Sequence, residues 1–175
     1  FSEVFLFYLA KKTERMKAVT IKQLKDELSH ASANDIKQLC LHLARFKKEN
    51  KELLTYLLFE SHDEESFIQN LKEEVDLQFD EINTNSFFYI RKSTRKILSS
   101  IKKHIRYSKK KETEAELLLY FCNKLKTFKP SKNRSTRLQN IFDTQVRMIK
   151  KAIEKLHEDL QYDFQLELDE LLENE

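Results

Sequence analysis

Cations without acids form the most distinctive chemical pattern in this sequence. No Asp or Glu occurs between Asn83 and Lys111, although lysine and arginine are frequent there. Such side chains neutralise phosphate groups, so a row of them along one helix can follow a nucleic-acid backbone. The candidate polyanion-binding residues of the 91–111 segment are Arg91, Lys92, Arg95, Lys96, Lys102, Lys103, Arg106, Lys109, Lys110 and Lys111.

A second group of cations follows in a loop, 129–137, that contains the only proline. Lys132, Arg134 and Arg137 of this loop complete the candidate set. Residues 83–142 have a net charge of +13, whereas residues 1–82 carry −4 and residues 143–175 carry −6. The sequence therefore concentrates its positive charge in the middle third of the chain.

Tyrosines accompany these cations. Tyr89, Tyr107 and Tyr120 are close to the basic segment in sequence. Their rings either stack on nucleobases or lie at the edge of the core with the hydroxyls in water. Both interpretations stay open at this stage.

The charge pattern also has a purely structural interpretation. The acidic C-terminal segment, with Glu154, Glu158, Asp159 and Asp163, is then a neighbour of the basic helix and pairs with it. Alternatively the cations form an ordinary solvated face. Neither interpretation requires a nucleic-acid ligand, and the sequence contains no named recognition motif that decides against them.

Catalytic and metal-binding patterns are missing from the sequence. We find no Walker, G-x-S-x-G, H-E-x-x-H or H-x-E…C-x-x-C pattern. Glu154 and His157 form one Glu-x-x-His copy, whereas di-iron bundles need two copies and two further carboxylates. We therefore expect a protein that is not an enzyme and that has no cofactor and no metal.

The two cysteines and the apolar residues 4–10 indicate the cellular compartment of the protein. Cys40 and Cys122 lie in apolar stretches without metal or disulfide spacing, which is typical of small buried side chains in a reducing cytosol. Residues 4–10 are apolar but too few to span a bilayer, and no basic segment precedes them. We expect a cytoplasmic protein without membrane association.

Glycine is absent and proline occurs once, which argues against β-hairpins, Rossmann turns and P-loops. Apolar residues instead recur at helical spacing. The sequence therefore predicts an all-α fold of antiparallel helical hairpins, packed as a bundle or a short superhelix of about seven helices. The predicted helices cover 3–14, 21–29, 33–48, 51–60, 63–82, 86–108, 113–128 and a long C-terminal segment from 136 into the 170s.

Four capping boxes mark helix starts in this prediction. They begin at Thr20, Ser32, Ser61 and Thr113, each followed three residues later by Gln, Asp or Glu. The long C-terminal helix carries a seam of apolar residues that either packs in the core or forms a coiled-coil dimer. The seam consists of Phe142, Val146, Ile149, Ile153, Leu156 and Leu160.

The domain organisation is expected to be simple. Met16 is a candidate start residue, and residues 1–15 are then an N-terminal extension outside the core. Residues 16–175 form a single helical domain in this prediction.

Three segments resemble one known family. FKKENKELLTYLLFE (46–60), IRYSKKKETEAELLLYFC (105–122) and KLHEDLQYDF (155–164) are similar to parts of a family of small bacterial all-helical proteins with a domain of unknown function. The resemblance covers residues 16–172. It implies a helical fold but no activity and no functional residues.

Two functions from different classes are consistent with these observations. The first is a helical interaction or scaffold protein that presents a surface to a protein partner or to a second copy of itself. The alternative is a nucleic-acid-associated protein that contacts phosphates through the basic 91–111 helix and the 129–137 loop.

Overall fold

The computed structural model of the chain describes residues 18–173. About 83% of these residues are helical, and no strand occurs among them. The predicted all-α fold is confirmed. The predicted helix at 3–14 and the predicted extension 1–15 lie outside the described residues.

Eight α-helices make up the described chain, which agrees with the expected number. A single π-helical turn, Tyr56–Glu60, and a 3₁₀ turn, Lys132–Arg134, lie between them. The α-helices are α1 (Ile21–His30), α2 (Ala33–Phe46), α3 (Lys48–Thr55), α4 (Glu64–Asp80), α5 (Phe87–Ser108), α6 (Lys111–Thr127), α7 (Thr136–Ile153) and α8 (Glu158–Glu173).

The chain divides into two compact units between Lys51 and Glu52. The first unit contains α1, α2 and the start of α3. Thr20 and Gln23 form the predicted capping box at α1, and the Ser32 hydroxyl accepts the backbone N–H of Asp35 at α2. Neither α1 nor α2 has a buried residue. The expected single domain from residue 16 stays a prediction.

The second unit is built around α6. This helix has a broad apolar surface, with Leu117, Leu118, Phe121 and Leu125 almost fully buried, and a narrow polar side that includes Glu112 and Asn123. It packs against α4, α5, α7 and α8, as expected of a helix whose apolar surface is this wide. Consecutive helices of this unit lie side by side. The apolar residues of α4 that face this core are Phe67, Ile68, Leu71, Val75 and Phe79, all of them buried.

The long C-terminal helix is interrupted, which corrects the prediction of one helix from 136 into the 170s. The chain turns at 154–157 and separates α7 from α8. A continuous helix would carry Leu168 and Leu171 away from α6, whereas the turn brings both into the core. Glu158 and Asp159 then lie in the first turn of α8, where acidic side chains are favourable.

The apolar seam of this region packs within the chain. Phe142, Val146, Ile149 and Ile153 of α7 are buried, and Leu156 is buried in the turn that follows. Packing in the core, rather than a coiled-coil dimer, therefore accounts for the seam.

Two predicted capping boxes are wrong. The carboxylate of Asp63, not the Ser61 hydroxyl, caps α4 by accepting the backbone N–H of Ser66. Thr113 lies inside the first turn of α6, and its hydroxyl donates to Glu64 at 2.7 Å. At α4 a carboxylate therefore replaces the predicted hydroxyl as the cap. At α6 the predicted hydroxyl does not cap the helix, because it is hydrogen-bonded to the Glu64 carboxylate. Leu57 and Leu58, in the π turn, are exposed.

A carboxylate fixes the corner between α5 and α6. One Glu64 oxygen accepts hydrogen bonds from Ser108 at 2.5 Å and Thr113 at 2.7 Å. The other accepts the Tyr56 hydroxyl at 2.8 Å and pairs with Lys110 at 3.1 Å. The carboxylate thus joins the π turn, the start of α4, the end of α5 and the start of α6. We call these five residues the Glu64 junction.

The environment of Glu64 favours its ionised form. Burial alone would raise the pKa of this carboxyl, but the hydrogen bonds from Ser108, Thr113 and Tyr56 outweigh burial and hold the pKa below its usual value. The hydrogen bond between Lys110 and Glu64 raises the pKa of the Lys110 ammonium group. Because the folded pKa of Glu64 is lowered, its ionisation stabilises the fold at neutral pH and loses that effect in acid.

We predict that Glu64→Gln lowers the thermal midpoint by roughly 2–10 °C at neutral pH, because the amide cannot accept all four bonds. Glu65→Gln, an exposed neighbour, serves as the control and leaves the midpoint unchanged. The difference between wild type and Glu64→Gln is complete above the unfolded pKa, about 4.3, and shrinks as pH falls through the lower folded value. A difference that persists unchanged in acid would contradict this account.

Candidate polyanion-binding face

Helix α5 separates apolar and cationic residues onto two sides. Its buried side carries Ile90, Thr94, Ile97, Leu98 and Ile101, which face the core of the second unit. At 22 residues the helix is about 33 Å long. The opposite side carries the cations, so their direction is fixed by the packing of the apolar stripe.

Most of the cations on α5 are accessible. Lys92, Arg95, Lys96 and Arg106 are exposed, and Arg91 is half-buried. We call these five residues the basic face. In the part of the chain that the structure describes, none of them forms an ion pair with a carboxylate. Their charge is therefore directed at solvent.

Spacing on the basic face places like charges together. Arg91 precedes Arg95 by four residues, and Lys92 precedes Lys96 by four residues. Each like-charge pair at this spacing destabilises a helix by about 0.2–0.5 kcal/mol. A bound anion of high charge density would relieve that repulsion.

The C-terminal part of the 91–111 segment differs, because several of its cations are neutralised within the fold. Lys103 pairs with Glu52 at 2.6 Å, and Lys110 pairs with Glu64 at 3.1 Å. Lys111 pairs with Glu114. These three lysines therefore have a structural role in addition to any role in binding.

The acids that pair with the basic segment are not those of the C-terminal segment. Among the described residues, Glu154, Glu158, Asp159 and Asp163 form no ion pair with α5, and α8 packs mainly on α6 and α7. The structural interpretation of the charge pattern is thus wrong in its choice of acids. Pairing within the fold holds for the lysines that Glu52, Glu64 and Glu114 neutralise, and an ordinary solvated face stays the alternative for the exposed cations.

A cleft of about 430 Å³ lies at the corner between α5 and α6. We call it the corner cleft. Lys102 lies on its wall, where burial lowers the pKa of the ammonium group against the opposing effect of Glu114. The Lys102 ammonium donates to the Met148 sulfur at 3.3 Å. The cleft is lined by Lys102, Ile105, Arg106, Lys109, Lys110, Lys111, Glu114 and Met148.

Lys109 has an unusual backbone conformation at this corner. It ends α5 in the left-handed region, with φ 60° and ψ 6°, and its N–H donates to the Ile105 carbonyl. Glycine normally occupies such a position, and another residue costs about 1–2 kcal/mol there. The result is that a cation, rather than a bare backbone, lies at the rim of the cleft.

The second predicted cluster is only partly accessible. Lys132 is 3% exposed, and its ammonium group lies 4.2 Å from the centre of the Phe142 ring and donates to Asn133 and Gln139. The prediction that Lys132 contacts a polyanion is therefore wrong, since the lysine packs under its own loop. Arg134 and Arg137 are exposed, but the predicted loop 129–137 is too long at its end, because Arg137 already lies in α7.

Helix geometry separates the two clusters. The corner cleft lies at the start of α6 and the 129–137 loop follows its end, so the 17 residues of α6 place them about 25 Å apart. Because α5 packs on α6 after a tight turn, the loop is at the same end of this hairpin as the start of α5. Arg134 and Arg137 therefore lie at the end of the hairpin where α5 begins, away from the cleft.

The three tyrosines differ in burial and in hydrogen-bond partners. Tyr107 is buried and donates to Glu52 at 3.1 Å, and Tyr120 donates to Asp76 at 2.6 Å. Both lie at the edge of the core, with carboxylate partners in place of the expected water. Tyr89 is 47% exposed and has Phe88 beside it, 56% exposed. Phe88 was not among the predicted site residues, although its position four residues before Lys92 would have indicated it.

Other chemical groups give no second site. Within residues 18–173, no cluster of three or more His, Cys, Asp or Glu side chains is arranged to hold a metal ion. His104 is half-buried between the rings of Phe67 and Tyr107, and burial lowers the pKa of its imidazole. The buried Cys122 thiol has a pKa raised to about 12 by burial, which suppresses its reactivity. None of the helices in residues 18–173 is both long and apolar enough to span a bilayer.

Comparison with protein-family models, curated proteins and solved structures gives no match for this chain. The resemblance of 46–60, 105–122 and 155–164 to a family of small bacterial helical proteins stays a prediction.

We predict that the lysines react with an amine-acetylating reagent in the order of their accessibility. Lys92, Lys96 and Lys109 are exposed, so they react first, whereas Lys132 lies under the loop and reacts slowly. Limited acetylation followed by peptide mass spectrometry measures the rates. Fast modification of Lys132 in the folded protein would contradict its assignment to the interior.

Proposed function

We propose that this protein binds the phosphate backbone of a nucleic acid through the basic face of α5. One observation carries the proposal: Arg91, Lys92, Arg95, Lys96 and Arg106 lie on one side of a rigid helix, and none has a carboxylate partner in the described part of the chain. A charged surface of this kind attracts a polyanion and gains affinity by releasing its counterions.

Supporting residues lie at both ends of the face. Exposed Arg134 and Arg137 lie at the end of the α5–α6 hairpin where α5 begins, and Lys109 lies at the corner cleft beyond the other end of α5. Lys102, Lys103, Lys110 and Lys111 stay in the proposal as secondary contacts, since three of them already pair with carboxylates. The chain offers no base-reading motif, so binding is expected to depend weakly on sequence.

The proposal involves no catalysis. Neither a nucleophile with an adjacent base nor a metal-binding cluster is part of the basic face or the corner cleft. Contacts with phosphates require only charge, reach and a rigid support, and α5 provides all three.

Binding through the basic face predicts a steep salt dependence that mutation flattens. Replacing Arg91, Lys92, Arg95 and Lys96 with Gln should reduce the slope of log affinity against log salt by roughly two to four units, because each phosphate contact contributes about 0.7–0.9. Helix α5 should stay folded, since Gln is nearly as good a helix former as Lys. Fluorescence anisotropy with labelled DNA and RNA measures the slope.

The matched control removes equal charge elsewhere. Replacing Arg147, Lys150, Lys151 and Lys155 with Gln deletes four exposed cations on α7 and the turn after it. This variant should keep most of the wild-type slope. Equal flattening by both variants would show that only net charge matters, and no binding by wild type at about 50 mM salt would exclude the proposal.

A second candidate function rests on the first unit. Helices α1 and α2 carry seven large apolar residues at helical spacing that are more than a third exposed, and Leu41 of α2 is half-buried. Charges of both signs flank these residues, so the surface does not select a strongly charged partner. We propose that a second copy of the chain covers it in a symmetric dimer. The apolar residues are Ile21, Leu24, Leu28, Ile36, Leu39, Leu43 and Phe46.

A dimer of this kind should dissociate when Leu39 and Leu43 are both replaced by Glu, because the charges would be buried at the interface. Lys37→Glu, an exposed change on the same helix, is the control and leaves the dimer intact. Sedimentation over a roughly hundredfold range of concentration measures the mass. A wild-type protein that is monomeric throughout this range would contradict self-association.

A further inference from the structure

The first turn of α5 exposes two aromatic rings. Phe88 is 56% exposed and Tyr89 is 47% exposed, whereas Phe67, Phe79 and Phe121 are buried in the core of the same unit. Exposed aromatic area is unfavourable in water and is common at binding surfaces. The position of these rings, more than their exposure, indicates what they bind.

Both rings are next to the basic face. Phe88 lies three residues before Arg91 and four before Lys92, so all three side chains are on the same side of α5. The Arg91 guanidinium lies 5.7 Å from the centre of the Phe88 ring. Tyr89 meets Phe88 edge to face, with ring centres 5.5 Å apart at 78°. The rings and the first cations therefore form one continuous surface.

This arrangement suits a nucleic acid whose bases are unpaired. Phosphates that follow Arg91, Lys92, Arg95 and Lys96 bring the bases of the same strand within reach of the first turn. An unpaired base can stack on an aromatic ring or on a guanidinium plane, and such stacking tolerates any sequence. In a duplex the base faces are already stacked on each other, so only the phosphates are available.

We propose that Phe88 and Tyr89 form a base-stacking site and that the preferred ligand of this protein is single-stranded nucleic acid. The inference rests on the proposed function and adds the strand state of the ligand. Phosphate contacts along α5 supply charge neutralisation, and the two rings supply the preference for unpaired bases.

The test compares single-stranded and duplex oligonucleotides of one sequence, using fluorescence anisotropy. The double variant Phe88→Leu and Tyr89→Leu keeps apolar side chains of good helix propensity but removes both rings. We expect affinity for the single strand to fall about 5- to 150-fold, the range that one stacked base contributes. Affinity for the duplex and the slope of the salt dependence should be unchanged.

Tyr162→Leu provides the matched control. Tyr162 is 67% exposed on α8 and is distant in sequence from the basic face, so its replacement should leave binding unchanged. Circular dichroism establishes that each variant is folded as wild type.

The outcomes separate this inference from the proposed function. A salt slope that the four Gln substitutions flatten, together with unchanged single-strand affinity in the Leu variant, would overturn the stacking site and leave phosphate binding in place. Equal losses on single strand and duplex would also overturn it. A loss of self-association in the Leu variant would assign the rings to a protein contact instead. Wild-type protein that binds neither oligonucleotide would overturn both proposals.

Discussion

The arrangement of helices in the second unit depends on the position of the Glu64 carboxylate. Glu64 begins α4 and accepts hydrogen bonds from the π turn, from the end of α5 and from the start of α6. Without glycine, the chain turns from α5 to α6 with Lys109 in the left-handed region, and the Glu64 junction supports that corner at the next residue, Lys110. The junction therefore fixes where α5 ends and α6 begins, while the apolar stripe of α5 sets which side of the helix carries the basic face.

The same junction divides the basic segment into two parts. Carboxylates need partners when they are half-buried, and Glu52, Glu64 and Glu114 take theirs from the C-terminal end of the segment. The N-terminal part, from Arg91 to Lys96, lies beyond the reach of these acids. Repulsion between its cations is the cost of that arrangement, and an external polyanion is the simplest partner that removes it. Phosphate binding and stacking by Phe88 and Tyr89 are proposed at this end for that reason.

Much of the fold could be predicted from local patterns. The period of the apolar residues placed α4 and α5 within two residues of their observed ends, and Pro130 marked the end of α6. The break at 154–157 could not be predicted in this way, because the chain turns to bury Leu168 and Leu171 against α6. The residues around 154–157 do not by themselves indicate a contact between segments so far apart in sequence.

The candidate site shows the same limit. The sequence identified the cations of α5 because their side of the helix follows from the apolar stripe. The sequence could not show that Lys132 packs on Phe142 or that the Thr113 hydroxyl donates to Glu64. Both contacts join residues that only the fold brings together. Phe88 was missing from the predicted site because its local pattern was misleading. An apolar residue at the start of an amphipathic helix is usually assigned to the core.

The most direct test of the account is a map of the surface that nucleic acid touches. Backbone amide NMR spectra of the wild-type protein, recorded while a single-stranded oligonucleotide of about twelve nucleotides is added at low salt, provide that map. We predict that the largest shift changes lie between Phe88 and Lys96 and decline along α5 toward Arg106. Changes confined to α1 and α2, or none at saturating oligonucleotide, would contradict the claim that α5 is the binding element.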